Sequence, residues 1–248
     1  LSLPSHHPVL IEKYQYFGAV TAMLAVGQLD PAAFTALSQF EWQHRDLSAE
    51  LPTQGLCLQR SLGDQCNFRL SLHGQTGVLL AEARGSGVIL NDRDVGAWRA
   101  KSRKAALAAG AAAPERLTPP ASIGCGVEGV SFISPAQDLD GPLRCKAFVP
   151  TEGGFHPAHP FHTGSGDHVN AGQLFDCAFQ LAHLAIGADQ PLRCLGGSAR
   201  FLRFVELDVP FEIALTDRRD EAGTQELDFA FSQLGRDSAR ISLRVAAA

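Results

Sequence analysis

A chain of 248 residues, 45% hydrophobic and 19% charged, has the composition of a globular protein with a substantial core, as one large domain or two of about 120 residues. A formal net charge of −5, a pI near 6.0 and the lack of a clustered Lys/Arg face argue against a nucleic-acid partner. No run approaches ~18 apolar residues, so no membrane span is expected, and the opening "LSLPSHHPVL" has no charged segment ahead of an apolar core, which points to the cytoplasm.

The first predicted helix covers about Phe17 to Val26 and is closed by Gly27. Four strand-like stretches follow, at about Ala36–Leu47, Gly55–Ser61, Cys66–Leu72 and Gly77–Leu90, with turns at "LGDQ" and "HGQTG". Residues 91–124 read as a connection, helical in its middle and extended at "LTPPAS". Its basic run from Trp98 to Lys104 reads as the solvated face of a linker helix. Strand-like segments at Gly126–Ile133 and Leu143–Val149 then lead to a helix over Ala171–Ile186, closed by Gly187. Asn170 followed by Gln173 is an Asn form of the capping box, which marks the start of that helix. Four more strands are expected at Ser198–Leu207, Pro210–Leu215, Gln225–Gln233 and Ala239–Val245.

Each half thus reads as a long apolar helix followed by four antiparallel strands. A helix that is apolar nearly all round needs a sheet wrapped about it. The expected fold class is α+β, a double hotdog: two antiparallel sheets, each around a long central helix and joined edge to edge. Its N-terminal unit spans 1–90, its linker 91–124 and its C-terminal unit 125–248.

The second helix carries the chemistry. Asp176 sits in the middle of "AGQLFDCAFQLAHLAI", and a carboxylate is rarely buried without a role or a partner. Gln173, Asp176, Gln180 and His183 fall within a sector of roughly 80° at 100° per residue, a narrow polar stripe on an otherwise apolar helix. A substrate channel and a structural hydrogen-bond network are the two readings of that stripe. His162 precedes Asp176 by the same interval that separates His7 from Thr21, and Gly172 and Gly18 stand near the two predicted helix starts. The two halves thus read as a repeat that keeps the acid in one copy only. The six cysteines form no CxxC and no metal-ligand spacing, so they are expected to be free thiols, and Cys177 is not read as a nucleophile. No metal site is expected: His162 and His168 with Asp167 fit no standard ligand spacing.

A histidine, a spacer, an acid on an apolar helix and a Gln four residues on ("LFDCAFQ") resemble the dehydratase domains of polyketide synthases, relatives of the 3-hydroxyacyl thioester dehydratases of fatty-acid synthesis. "FGAVTAMLAVG", "FEWQHRDL" and "LLAEARGSGVIL" look like the first half of the same domain. "DHVNAGQLFDCAFQLAH" and "RFLRFVELDVPFEI" are also similar to the A-factor synthase hotdog family. In "HHPVLIEKYQYFG" the histidine and a glycine near the helix are kept, while the internal glycine and the proline of the dehydratase run are missing.

The first resemblance implies loss of water from 3-hydroxyacyl thioesters carried by an acyl carrier protein. Histidine would be the base for the α-proton and the aspartate the acid for the leaving hydroxyl. It implies catalysis by His7 from the first half with Asp176 from the second. His6 would replace His7 under a one-residue shift, and His162 and His168 are the other candidates. His162 would face Thr21 in an inert copy of the site. Gln180 would support the acid, and Gly172 or Gly18 would let substrate approach a helix start, where free N–H groups can stabilise the thioester carbonyl. A gap of about 4–8 Å between imidazole and carboxyl is expected. No cofactor is implied beyond the phosphopantetheine of the carrier. The expected partners are that carrier, other domains of a multidomain synthase and a second copy in a homodimer. A related isomerisation or cyclisation, a thioesterase or acyltransferase of the A-factor synthase type, and an inactive domain serving assembly are the alternatives.

Overall fold

The computed structural model describes residues 3, 6–45, 51–90, 95–110, 112–123, 130–137, 142–152, 166–187, 191–221 and 223–247. Helix α1 (Pro8–Ala25) is followed by β1 (Phe34–His44), β2 (Gln54–Leu62), β3 (Gln65–His73) and β4 (Leu79–Leu90). Helix α2 (Val95–Ala109), a short 3-10 turn (Pro120–Ile123) and β5 (Arg144–Ala147) lead to α3 (Ala171–Ile186). The chain ends with β6 (Leu192–Phe201), β7 (Phe211–Glu221), β8 (Thr224–Gln233) and β9 (Arg236–Ala247). The predicted strand over Gly126–Ile133 is reduced, among described residues, to a bridge between Ile133 and Ala147; residues 124–129 lie outside them.

The nine strands among the described residues form one antiparallel sheet in the order β2-β3-β4-β1-β6-β9-β8-β7-β5. The two sheets expected to join edge to edge are observed as this one continuous sheet. The halves meet where β1 pairs with β6, from Gln39↔Arg200 to Gln43↔Gly196, so what would be two bare strand edges satisfy each other's backbone groups. The pairing is tight enough to demand glycine: a Cβ on Gly197 would lie 2.3 Å from the Ser242 carbonyl oxygen and 2.7 Å from the Trp42 ring.

Alternating strand residues from both halves point into one core. Phe40 and Trp42 of β1 meet Phe175 of α3 at ring separations of 5.8 and 5.0 Å, and Phe229, Phe231, Ile241 and Leu243 close the same cluster from the other half. Helix α3 is buried from Gly172 to His183. Helix α1 is not a matching central helix. Its first half is buried against α3, while Tyr14, Phe17 and Thr21 are exposed. Its start is also earlier than predicted: His7 is the N-cap and Pro8 the first helical residue, where a missing N–H and a fixed φ cost nothing. Of the linker helix, Arg99 is not solvated as expected but buried at 3% exposure. Five cysteines are free and Cys125 lies outside the described residues. No helix among the described residues is long and apolar enough to cross a membrane.

Candidate functional site

The site is built on the start of α3. The Asn170 side chain accepts the Gln173 N–H at 3.1 Å, and Gln173 Oε1 accepts the Asn170 N–H at 2.9 Å, completing the predicted capping box. Gly187 ends the helix in the left-handed region at φ 64°, a conformation cheap only for glycine. With both ends fixed, Gln173, Asp176, Gln180 and His183 form a stripe in the interior, the first three with no exposed surface.

Helix α1 lies antiparallel beside this stripe. His7 approaches Asp176, and one and a half turns later Glu12 and Lys13 reach Gly172. His7 Nδ1 accepts the Val9 N–H at 3.3 Å, which orients the ring as the helix cap. Its Nε2 then lies 3.5 Å from Asp176 Oδ1, with both side chains fully buried. The expected 4–8 Å gap is therefore not present. The two atoms are close but make no hydrogen bond with each other or with other groups. Gln180 holds the far side of the carboxylate, donating from Nε2 to Asp176 Oδ2 at 3.1 Å while its Oε1 accepts the Phe132 N–H at 3.1 Å. Phe179 stands edge-on to His7 at 4.8 Å and to His183 at 5.2 Å. Burial, and then the charge of His7, lower the His183 pKa to about 4, and neither of its ring nitrogens has a partner. Cys177 points away from the stripe; burial, with Asp176 and Cys145 nearby, pushes its thiol well up, so it is no thiolate nucleophile.

The other candidates lie elsewhere. The His6 ring packs against His44 at 5.1 Å. His44 is held at a pKa of about 4 by burial and then by the charge of His6. His168 bonds its neighbour, Nδ1 to Asp167 Oδ1 at 2.7 Å. Arg99 Nε donates to Asp167 Oδ2 at 2.8 Å, and its remaining nitrogens clasp Glu206 at 2.7 and 2.6 Å. Burial pushes the Asp167 carboxyl up, but hydrogen bonds and charge from His168 and Arg99 outweigh it and hold it below the usual range. This relay borders an apolar cavity of about 200 Å³ lined by His168, Ala171, Leu174, Phe201 and Phe204. Leu174 and Ala171 stand about 200° and 140° around α3 from Asp176, so the cavity is on the other face of the helix. His156, His159 and His162 lie outside the described residues. Among the described residues no cluster of three or more His, Cys, Asp or Glu could hold a metal.

The internal repeat changes register. Gly18 lies well inside α1, not at its start, and Thr21 is exposed. Matched by their caps, His7 corresponds to Asn170, and the residue six places on is Lys13 in α1 and Asp176 in α3. Thr21 therefore does not stand at the acid position; Lys13 does. Glu12 and Lys13 are the site residues that sequence reasoning missed. The signal available was Pro8 after a His, which extends α1 back to include them.

No protein-family model matches the chain, and no curated protein matches its sequence. Solved structures do match. An acyl-ACP thioesterase from Bacteroides thetaiotaomicron VPI-5482 superposes with a TM-score of 0.56 at 10% identity, covering 96% of this chain and 89% of that one. A 12:0-ACP thioesterase from Umbellularia californica gives 0.53 at 9% identity, covering 99% and 92%. An acyl-CoA thioesterase II from Mycobacterium marinum gives 0.50 at 14% identity, covering 94% and 89%. The chain has a hotdog fold. Within that hotdog, the imidazole at the start of α1 and the carboxylate of α3 are both fully buried and are brought together from distant parts of the sequence.

Proposed function

We propose that the chain is a double-hotdog domain that acts on acyl thioesters, eliminating water from a 3-hydroxyacyl thioester at one acid–base pair, His7 and Asp176. The two units are α1 with β1–β4 and α3 with β5–β9. The observation that carries the reading is the approach of His7 Nε2 to Asp176 Oδ1 at 3.5 Å, in a fully buried place where nothing else occupies either atom. Two buried polar atoms left without hydrogen bonds are costly for stability alone, which favours a use in chemistry. Substrate enters by parting the pair. One partner then removes the α-proton, the C–O bond at the β-carbon breaks, and the other partner protonates the leaving hydroxyl.

The cap bond sets the division of labour. With Nδ1 accepting the Val9 N–H, the hydrogen of a neutral His7 ring is on Nε2. Asp176 is then the base and His7 the acid, the reverse of what the dehydratase resemblance implies. Gln180 keeps the carboxylate aimed. No resident cofactor takes part; the phosphopantetheine belongs to the substrate, and an acyl carrier protein within a larger synthase is the proposed partner.

Thioester hydrolysis is the second reading. It is favoured by the Arg99–Asp167–His168 relay beside an apolar cavity, an arrangement that would fix His168 for activating water. Incubation with 3-hydroxyhexanoyl-pantetheine and with hexanoyl-pantetheine, read by mass spectrometry, separates the two. A product lighter by one water supports elimination. Free hexanoate supports hydrolysis. Conversion of neither substrate removes both.

A further inference from the structure

The seam between α1 and α3 holds further buried polar groups beside the His7–Asp176 pair. Gln173 Nε2, Glu12 Oε2 and Lys13 Nζ are also buried without hydrogen bonds. Lys13 Nζ and Glu12 Oε2 approach to 2.9 Å, close enough for an ion pair but not in hydrogen-bonding geometry. The two residues are only 8% and 5% exposed. Desolvating both ions for one poorly aligned contact is an unfavourable way to stabilise a helix. Their place is specific. A Cβ on Gly172 would fall 3.0 Å from Glu12 Oε2, 3.1 Å from Lys13 Nζ and 3.1 Å from Asn170 Oδ1. The glycine thus clears the space that the pair occupies. Gly172 and Asp176 are four residues apart and face the same way, with a spacing of about 5–6 Å between such positions. A 3-hydroxyacyl thioester has its hydroxyl and its carbonyl on carbons separated by one methylene, so groups one helical turn apart can flank it and each reach one of the two oxygens.

We propose that Lys13 is a catalytic residue of this site, its ammonium receiving the thioester carbonyl oxygen while the β-hydroxyl lies at the His7–Asp176 pair. The inference rests on the acyl-thioester reading above. As the α-proton leaves, the electron pair moves into an enolate and negative charge builds on that oxygen. It returns to form the Cα–Cβ double bond as the β-hydroxyl departs as water. A fixed cation in a dry site stabilises the enolate without reorganisation. Glu12 keeps Lys13 in place and balances its charge until substrate arrives.

Two measurements test this. In the first, Lys13→Met should lower kcat on 3-hydroxyhexanoyl-pantetheine by ~10²-fold or more, with KM changed far less. In the second, binding is followed by calorimetry with 3-hydroxyhexanoate, whose carboxylate takes the place of the thioester carbonyl, and with hexyl-pantetheine, a thioether without a carbonyl. Lys13→Met should weaken the carboxylate at least about ten-fold and leave the thioether unchanged. Glu12→Gln, which frees the ammonium, should tighten the carboxylate, and it decides the matter if Lys13→Met does not fold. Unchanged carboxylate binding in either variant overturns the role of Lys13. Turnover that survives in Lys13→Met and is lost in Asp176→Asn would overturn Lys13 while keeping the pair. Lysine-dependent carboxylate binding in a protein that converts no thioester would keep Lys13 as an oxyanion ligand and discard elimination.

Discussion

At the residue scale, His7 does two jobs with one ring: Nδ1 caps α1 and Nε2 faces Asp176. If His7 acts as the proton donor, a side chain that also donates N–H should retain part of the function. His7→Gln should therefore keep measurable elimination, while His7→Ala loses it by ~10²-fold or more. Equal loss in both variants would return His7 to the role of base. His183 gives a prediction on stability. Its folded pKa of about 4 lies below the ordinary 6.5, chiefly through burial. Between those values the unfolded chain binds the extra proton, so stability present at neutral pH is lost as pH falls through that window. His44, also held at about 4, contributes in the same direction. His183→Phe should shrink the drop in urea midpoint between about pH 7 and about pH 5. An unchanged drop would mean that His183 does not carry it. Asp176 itself was legible as a residue with a role, because desolvating an acid inside an apolar helix is too costly without a partner or a use. Its partner was legible only through family resemblance, since nothing local to His7 points across the chain.

At the element scale, α3 was readable to both ends. Asn170 and Gln173 cap one end and Gly187 the other, and all three signals are local. Helix α1 was cut short because Glu12, Lys13 and Gln15 break the apolar pattern. They are buried all the same, and Glu12 and Lys13 reach the start of α3 at Gly172. Arg99 shows the same limit. In sequence it belongs to a basic run; in the fold it meets Glu206, 107 residues away, over the Phe204 ring at 4.5 Å. That clasp ties α2 to the second half. Arg99→Ala should destabilise the protein by ~3–5 kcal/mol, because Glu206 is left charged and buried. Removing both charges, as in Arg99→Met with Glu206→Gln, should cost less. Chemical denaturation of the two variants checks the order, and a double variant less stable than Arg99→Ala would contradict it.

At the scale of the whole molecule, strand content and the antiparallel arrangement followed from alternation and turn residues. An edge-to-edge joint between the halves was expected, but not which strands form it. It depends on β1 lying between β4 and β6, and that choice is made by contacts such as Trp42 over Gly197, which leave no local signal. The same joint lets one core serve both halves and sets α1 against α3, so that one imidazole and one carboxylate from distant segments share a dry site. The measurement that tests this most directly is turnover of 3-hydroxyhexanoyl-pantetheine to its enoyl product by the wild type, His7→Ala and His168→Gln. Product from the wild type and from His168→Gln, with none from His7→Ala, is the predicted result. Product from His7→Ala and none from His168→Gln would place the chemistry on the opposite face of α3 and contradict the account.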